Sequence, residues 1–527
     1  DRNPVQFSNG KLLFYYWLGL FFIGGNSALV VGRLAVAVFA LINGAMVLAI
    51  ARALFGSRAA LPALLLYVFM PWSVFFERMA LADPFAAGIA AITLWQSIRL
   101  AQMPRPTAAR GALVGLLVAL TLLAKLTTTF FLAIPVVAAL LLSDIRPAEN
   151  TRAAYEAWAR ALWARYGRAW RAGAAVTGAI WGVYIVAMLL STYLGSQPKF
   201  FTSSLVDSTP NPLNLLDNLI ATVEAASTLI SLPVALLLVA LSAVAIRWRP
   251  APGLLAAAWL AVLWLPIVVF GAPVQTRYLA VGLPALAVLA GGGLAALEHH
   301  AAHYYAAYPA LLPGLRRRWA ALALAWIVIG GWLMMFALPF GWKASGNANR
   351  LRLSESDSFT YISGPFNGSG TRESLAYLRN WGRRVDGQIP AVGVLLHCGS
   401  VRLHVTDEFD WTCFDARNTA GRDQILADVR RWTPLMQAAH NWPFVYLITD
   451  IGESVPMRDY PLEWNLVYMS ARPQGGKLVS VWRVSNHYFA EEPPNLTRTQ
   501  AGGGGSYVQS TAYIPSTFGA VSGITAY

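Results

Sequence analysis

The chain is short of charge, of cysteine and, over most of its length, of histidine. Only 13% of its 527 residues are Asp, Glu, Lys or Arg, against 56% hydrophobic. Mean hydropathy is +0.49, and such a composition excludes a soluble globular protein. Cysteine occurs twice, at Cys398 and Cys413, which rules out a disulfide-dense scaffold. One bond between them is open in an oxidising compartment, and two unpaired thiols are the other reading. All seven histidines lie at position 299 or later. No phosphate-binding loop, dinucleotide fingerprint or zinc-type Cys/His spacing occurs, so a metal site is not read from motifs. Chemistry in the first half of the chain is left to carboxylates, Lys, Arg and Tyr. Carboxylates are themselves the scarcer sign, 26 against 40 Lys and Arg, for a net charge of +14.

What is present is a series of apolar runs of membrane-spanning length. They lie at about 27–51, 59–76, 83–101, 110–124, 127–142, 173–195, 227–246, 253–270, 279–297 and 319–341. An aromatic-rich lead, with Lys11 ahead of Tyr15, Tyr16 and Trp17, reads as an interfacial anchor. The pattern predicts a polytopic α-helical membrane protein with about 10–11 transmembrane helices. One set of alternate connecting segments holds 16 Lys or Arg and the other holds 4. The first set is therefore expected on the cytoplasmic side of a bacterial-type inner or plasma membrane, and the excess of positive charge reflects topology, not nucleic-acid binding. Thr151–Arg171, with Trp158, Trp163 and Trp170 among its arginines, reads as a basic amphipathic helix lying on the inner leaflet.

The division into domains follows composition: a membrane domain over 1–342, an extracytoplasmic α/β domain over 343–490, and a flexible Gly/Ser/Thr-rich tail over 491–527. In the second, alternating signals predict helices at 371–384 and 422–432 and strands at 391–396, 444–449, 466–469 and 478–484. The tail contains A-G-G-G-G-S at 501–506 and has too little apolar periodicity to build a core. It is expected to be a free arm or a strand laid on a partner in a membrane complex.

The charges of the other face are few: Lys11, Glu77, Arg78, Asp83, Lys125, Arg277, with Tyr278 beside them. Ionisable groups kept at the edge of a span pair with one another or serve a site. Four stretches carry a resemblance in order and spacing: N-P-V-Q-F-S-N-G-K at 3–11, E-R-M-A-L-A-D-P at 77–84, L-L-A-K-L-T at 122–127 and R-Y-L-A-V-G-L-P at 277–284. A fifth, G-P-F-N-G-S-G-T-R-E-S at 364–374, is similar to the opening of the soluble domain in some bacterial members. Together they resemble the GT-C glycosyltransferases that use lipid-phosphate sugars, the family of protein O-mannosyltransferases and bacterial aminoarabinose transferases.

The resemblance implies a sugar moved from a polyprenyl-phosphate donor to a protein, lipid or glycan acceptor. It implies that Lys11, Arg277 and Tyr278 hold the lipid phosphate and that Asp83 is the second-loop acid at the reacting centre. Arg78 would pair with that acid or with phosphate. Lys125 receives only a packing or headgroup role. A divalent metal is permitted, not demanded. Two departures stand out: Leu12 and Leu13 replace the usual prolines after Gly-Lys, and the family's principal first-loop acid would lie upstream of Asp1. These leave a second expectation from another class, a catalytically silent subunit or scaffold of a membrane assembly. A transporter is disfavoured, because there is no internal repeat and the charges gather at one surface.

Overall fold

Helices run as far as the apolar runs allow and stop at breakers. In a computed structural model of the chain, the described residues are 11–21, 28–194, 212–270, 275–307, 312–364, 367–385, 391–395, 409–414, 422–440, 444–450, 463–476, 478–485, 499–501 and 505–508. The chain divides into two compact units, Asp1–Asn347 and Ala348–Tyr527.

The first unit is helical. In order come α1 (Leu12–Gly19), α2 (Ala28–Phe55), α3 (Ser57–Phe69), α4 (Pro71–Phe76), α5 (Ala82–Ala101) and α6 (Ala108–Ala124). A 3-10 stretch, Leu126–Ala133, leads into α7 (Ile134–Leu142), followed by α8 (Arg152–Leu194), α9 (Pro212–Leu229), α10 (Leu232–Trp248) and α11 (Pro250–Phe270). A turn at Thr276–Leu279 opens α12 (Leu283–Ala307), and α13 (Leu312–Trp332) continues through a π turn into α14 (Leu338–Gly346). Among the described residues four helical segments are long and apolar enough to cross a membrane: Val30–Phe55, Pro250–Val269, Thr276–Ala302 and Trp319–Gly346. A fifth candidate is the pair α9 and α10, bent by 107°.

Three expectations change. The span predicted at 59–76 is broken at Met70, whose extended backbone (ψ 119°) precedes Pro71; the residue before a proline is driven out of the helical region. The basic segment 151–171 is not a separate helix. It forms the first half of α8, one helix of 43 residues or about 65 Å. No breaker separates Arg171 from the apolar run. The Tyr166 hydroxyl donates to Ala101 O (2.5 Å) and Arg165 Nη2 to Met103 O (2.9 Å), which moors this half of α8 to the end of α5. Glycines then bring α6 and α8 together: a Cβ on Gly111 would lie 2.0 Å from Ala169 O, and one on Gly115 2.2 Å from Gly173 O. The third change is α9, in a stretch read as a loop. Its short amphipathic pattern lacks the length of a span, and the chain turns sharply into α10 at Ser231, which carries φ 78°.

The second unit is built on one seven-stranded sheet: β1 (Val392–Leu395), β2 (Trp411–Phe414), β3 (Val445–Asp450), β4 (Glu463–Ser470), β5 (Val479–Ser485), β6 (Thr499–Ala501) and β7 (Gly505–Val508), in the order β4-β5-β3-β1-β2-β7-β6. β3, β1, β2 and β7 run parallel, and β4, β5 and β6 antiparallel to their neighbours. Helix α15 (Thr371–Val385) covers one face through Leu375 and Leu378, and α16 (Arg422–His440) the other through Val429, Trp432 and Met436. Strands sandwiched this way are buried on both faces, and every residue of β1, β2 and β3 is buried. Cys413 of β2 is disulfide-bonded; Cys398 lies outside the described residues. Part of the tail expected to be a free arm instead pairs with this sheet. β7 joins β2, whose edge would otherwise present unpaired backbone groups, and β6 pairs antiparallel with β7.

Candidate active site

Asp83 sits in the first turn of α5, where the aligned backbone N–H groups favour a negative charge. Its partner is Lys125, the residue that ends α6 in an extended conformation, with φ −164° and ψ 125°. That break between α6 and the 3-10 stretch turns the lysine inward, and its Nζ donates to Asp83 Oδ1. Both residues are 3% exposed. The Lys125 ammonium also lies 4.1 Å from the centre of the Tyr278 ring, close enough for a cation–π contact. Arg277 completes this side: its Nη2 donates to the Tyr278 hydroxyl (3.3 Å) and its guanidinium stands 5.0 Å from the same ring centre.

The turn bearing Arg277 and Tyr278 is fixed from behind. Trp72 Nε1 donates to Thr276 O (3.3 Å) and Trp264 Nε1 to Leu279 O (2.7 Å). Lys11 enters from α1, which docks through Phe14 and Trp17 on an aromatic cluster with Phe39 and Phe85. The Trp17 indole also donates to Ala35 O (2.9 Å). Burial first, then the positive charges of Lys125 and Arg277, pull the Lys11 ammonium below the usual lysine range; Asp83 and Tyr278 oppose this. Lys11, Asp83, Arg277 and Tyr278, all expected from the sequence, are thus brought together.

Lys125 is the residue whose importance sequence reasoning missed. It stands in the L-L-A-K-L-T stretch, but only the fold reveals that it faces Asp83. Arg78 is a correction in the other direction. The acid it was expected to pair with is taken by Lys125, while burial first, then the charge of Arg33, disfavours the charged form of Arg78. Chain direction explains the separation, since Arg78 lies in the turn before α5 whereas Asp83 has entered the helix.

The cluster therefore sets three cations against one carboxylate. An excess of two positive charges, with Lys11 and Lys125 sheltered from water, is a site for an anion with several acceptor oxygens. Among the described residues no group of three or more His, Cys, Asp or Glu is placed to hold a metal ion.

Three of these five residues fall in a segment that matches a family model. Residues 11–166 match the model for dolichyl-phosphate-mannose-protein mannosyltransferases. Over this stretch the chain is similar to that glycosyltransferase family. The match begins at Lys11 and includes Asp83 and Lys125, while Arg277 and Tyr278 lie beyond it. Among solved structures, ArnT from Cupriavidus metallidurans in the apo state is similar at 15% identity and a TM-score of 0.46, over 91% of this chain and 93% of that one. The same protein bound to undecaprenyl phosphate gives 17% identity and 0.43, over 89% and 86%. The Archaeoglobus fulgidus oligosaccharyltransferase tethered to an acceptor peptide gives 13% and 0.45, over 84% and 61%. No curated protein matches the sequence.

Proposed function

We propose that the protein is an integral-membrane glycosyltransferase that moves a sugar from a polyprenyl-phosphate donor to an acceptor hydroxyl on the extracytoplasmic face. The observation that carries the reading is the convergence of Lys11, Lys125 and Arg277 on Asp83 and Tyr278, three of them within the segment that matches the mannosyltransferase model.

In this reading the donor phosphate lies between Lys11, Arg277 and the Tyr278 hydroxyl, with its sugar toward Asp83. The acceptor oxygen attacks the anomeric carbon and gives its proton to the Asp83 carboxylate, the bond from that carbon to the phosphate oxygen breaks, and polyprenyl phosphate leaves with inversion at carbon. The negative charge growing on the leaving phosphate meets cations already in place, so little reorganisation is needed during the step. Lys125 holds Asp83 at the reacting centre.

The test uses the purified protein in lipid nanodiscs with a polyprenyl-phosphate sugar and reads release of polyprenyl phosphate. Asp83→Asn is expected to lower turnover by about 10²-fold or more. Lys11→Gln and Arg277→Gln are expected to weaken binding of polyprenyl phosphate. Undiminished transfer by Asp83→Asn would remove the acid from the mechanism, and undiminished binding by both cation variants would remove the phosphate site.

A further inference from the structure

Beneath the Asp83 turn lies a second buried polar group that the reaction above does not use. Glu77 follows α4 and directs its carboxylate inward. Oε1 accepts from the hydroxyl of Tyr67 on α3 and from Asn43 Nδ2 on α2 at 2.8 Å. The same Asn43 nitrogen donates to Pro84 O at 3.1 Å, the carbonyl next to Asp83 in the first turn of α5. Asn43 is 0% exposed and Tyr67 2%.

The amide can face only one way. Both acceptors lie on its nitrogen side, and a flipped amide would set its oxygen against a carboxylate and a carbonyl. Gly88 leaves it room, since a Cβ there would come 3.1 Å from Asn43 Oδ1 and 2.6 Å from the Phe39 ring. One carboxylate thus ties α2 and α3 together and, through Asn43, reaches the backbone that carries Asp83. A turn held at its carbonyl cannot rotate without breaking a buried hydrogen bond.

We propose that Glu77, acting with Tyr67 through Asn43, is a positioning residue that fixes the first turn of α5 and so the direction in which Asp83 meets Lys125. The proposal rests on the reading of Asp83 as the acid at the reacting centre. Glu77 touches neither donor nor acceptor, and its effect passes through Asn43 and Pro84.

Two measurements on the full chain in nanodiscs test it. In the first, Glu77→Gln lowers kcat per folded protein by about 10²-fold, the loss expected when a catalytic group is misplaced by about 1 Å, with KM for the polyprenyl-phosphate sugar unchanged. Tyr67→Phe, a milder change that keeps the ring, lowers kcat in the same sense. In the second, hydrogen exchange of the amides at 81–90 speeds up by about tenfold in either variant, while exchange in α12 is unchanged. Unchanged kcat, or unchanged exchange at 81–90, would overturn the proposal. The exchange measurement reads the turn whether or not the protein transfers a sugar. If the wild type transfers nothing, the fault lies with the glycosyltransferase reading, and exchange alone decides the role of Glu77. Should Glu77→Gln fail to fold, Tyr67→Phe carries both arms.

Discussion

Asp83 and Lys125 cannot be removed one at a time without cost. Each is 3% exposed, and breaking a buried ion pair leaves an uncompensated charge, at about 3–5 kcal/mol. Lys125→Met should therefore lower the thermal unfolding temperature of the detergent-solubilised protein as well as its transfer rate. The double variant Lys125→Met with Asp83→Leu should regain much of the stability and none of the transfer. Glu77 gives a pH dependence of the opposite kind to an ordinary carboxylate. Burial pushes its carboxyl up to about 7, against the pull of the hydrogen bonds from Tyr67 and Asn43. The folded chain then binds more protons at this group than the unfolded chain between about pH 4.5 and 7, so its contribution to stability falls as pH rises through that window. The expected outcome is that the melting temperature of Glu77→Gln, measured relative to wild type, is more favourable at pH 8 than at pH 5.

At the scale of elements, the sharpest feature is the bend between α9 and α10. Ser231 holds φ 78° and ψ 138° there, a region where a side chain costs about 1–3 kcal/mol and glycine is at ease. Ser231→Gly should raise the unfolding temperature, read by differential scanning fluorimetry. The packing of α6 on α8 predicts the reverse, because a leucine at Gly111 would have to occupy space held by the backbone of Ala169. Gly111→Leu should abolish monodisperse extraction.

These elements also mark what could be read from the sequence. Apolar runs located the helices because lipid leaves few options to a backbone, and alternation located β3 and β5 closely. Continuity was harder to see: nothing local distinguishes a helix that stops at Arg171 from one that runs on, because the deciding contacts come from Ala101 and Met103. The same holds for the site. Lys11, Asp83, Arg277 and Tyr278 were picked out by the family resemblance and their place at the edges of spans, whereas the Asp83–Lys125 pair joins residues brought together only by the packing of α5 and α6. Arg78, in the same short stretch as the acid, is its neighbour in sequence alone.

For the whole molecule, the division into Asp1–Asn347 and Ala348–Tyr527 separates two ways of satisfying a backbone. The first unit closes its hydrogen bonds within helices and can settle span by span. The second depends on pairings between strands distant in sequence, which are slow to form. A chain ending at residue 498 lacks both β6 and β7 and leaves β2 as an open edge. It is expected to self-associate, eluting early in size-exclusion chromatography, where the full chain does not. The pairing of β7 with β2 also sets an order of events during synthesis. While the ribosome is still short of Val508, β2 has been made and its neighbour has not. Every nascent chain therefore passes through an interval in which a strand edge is open to other chains, and a pause in translation late in the message lengthens that interval.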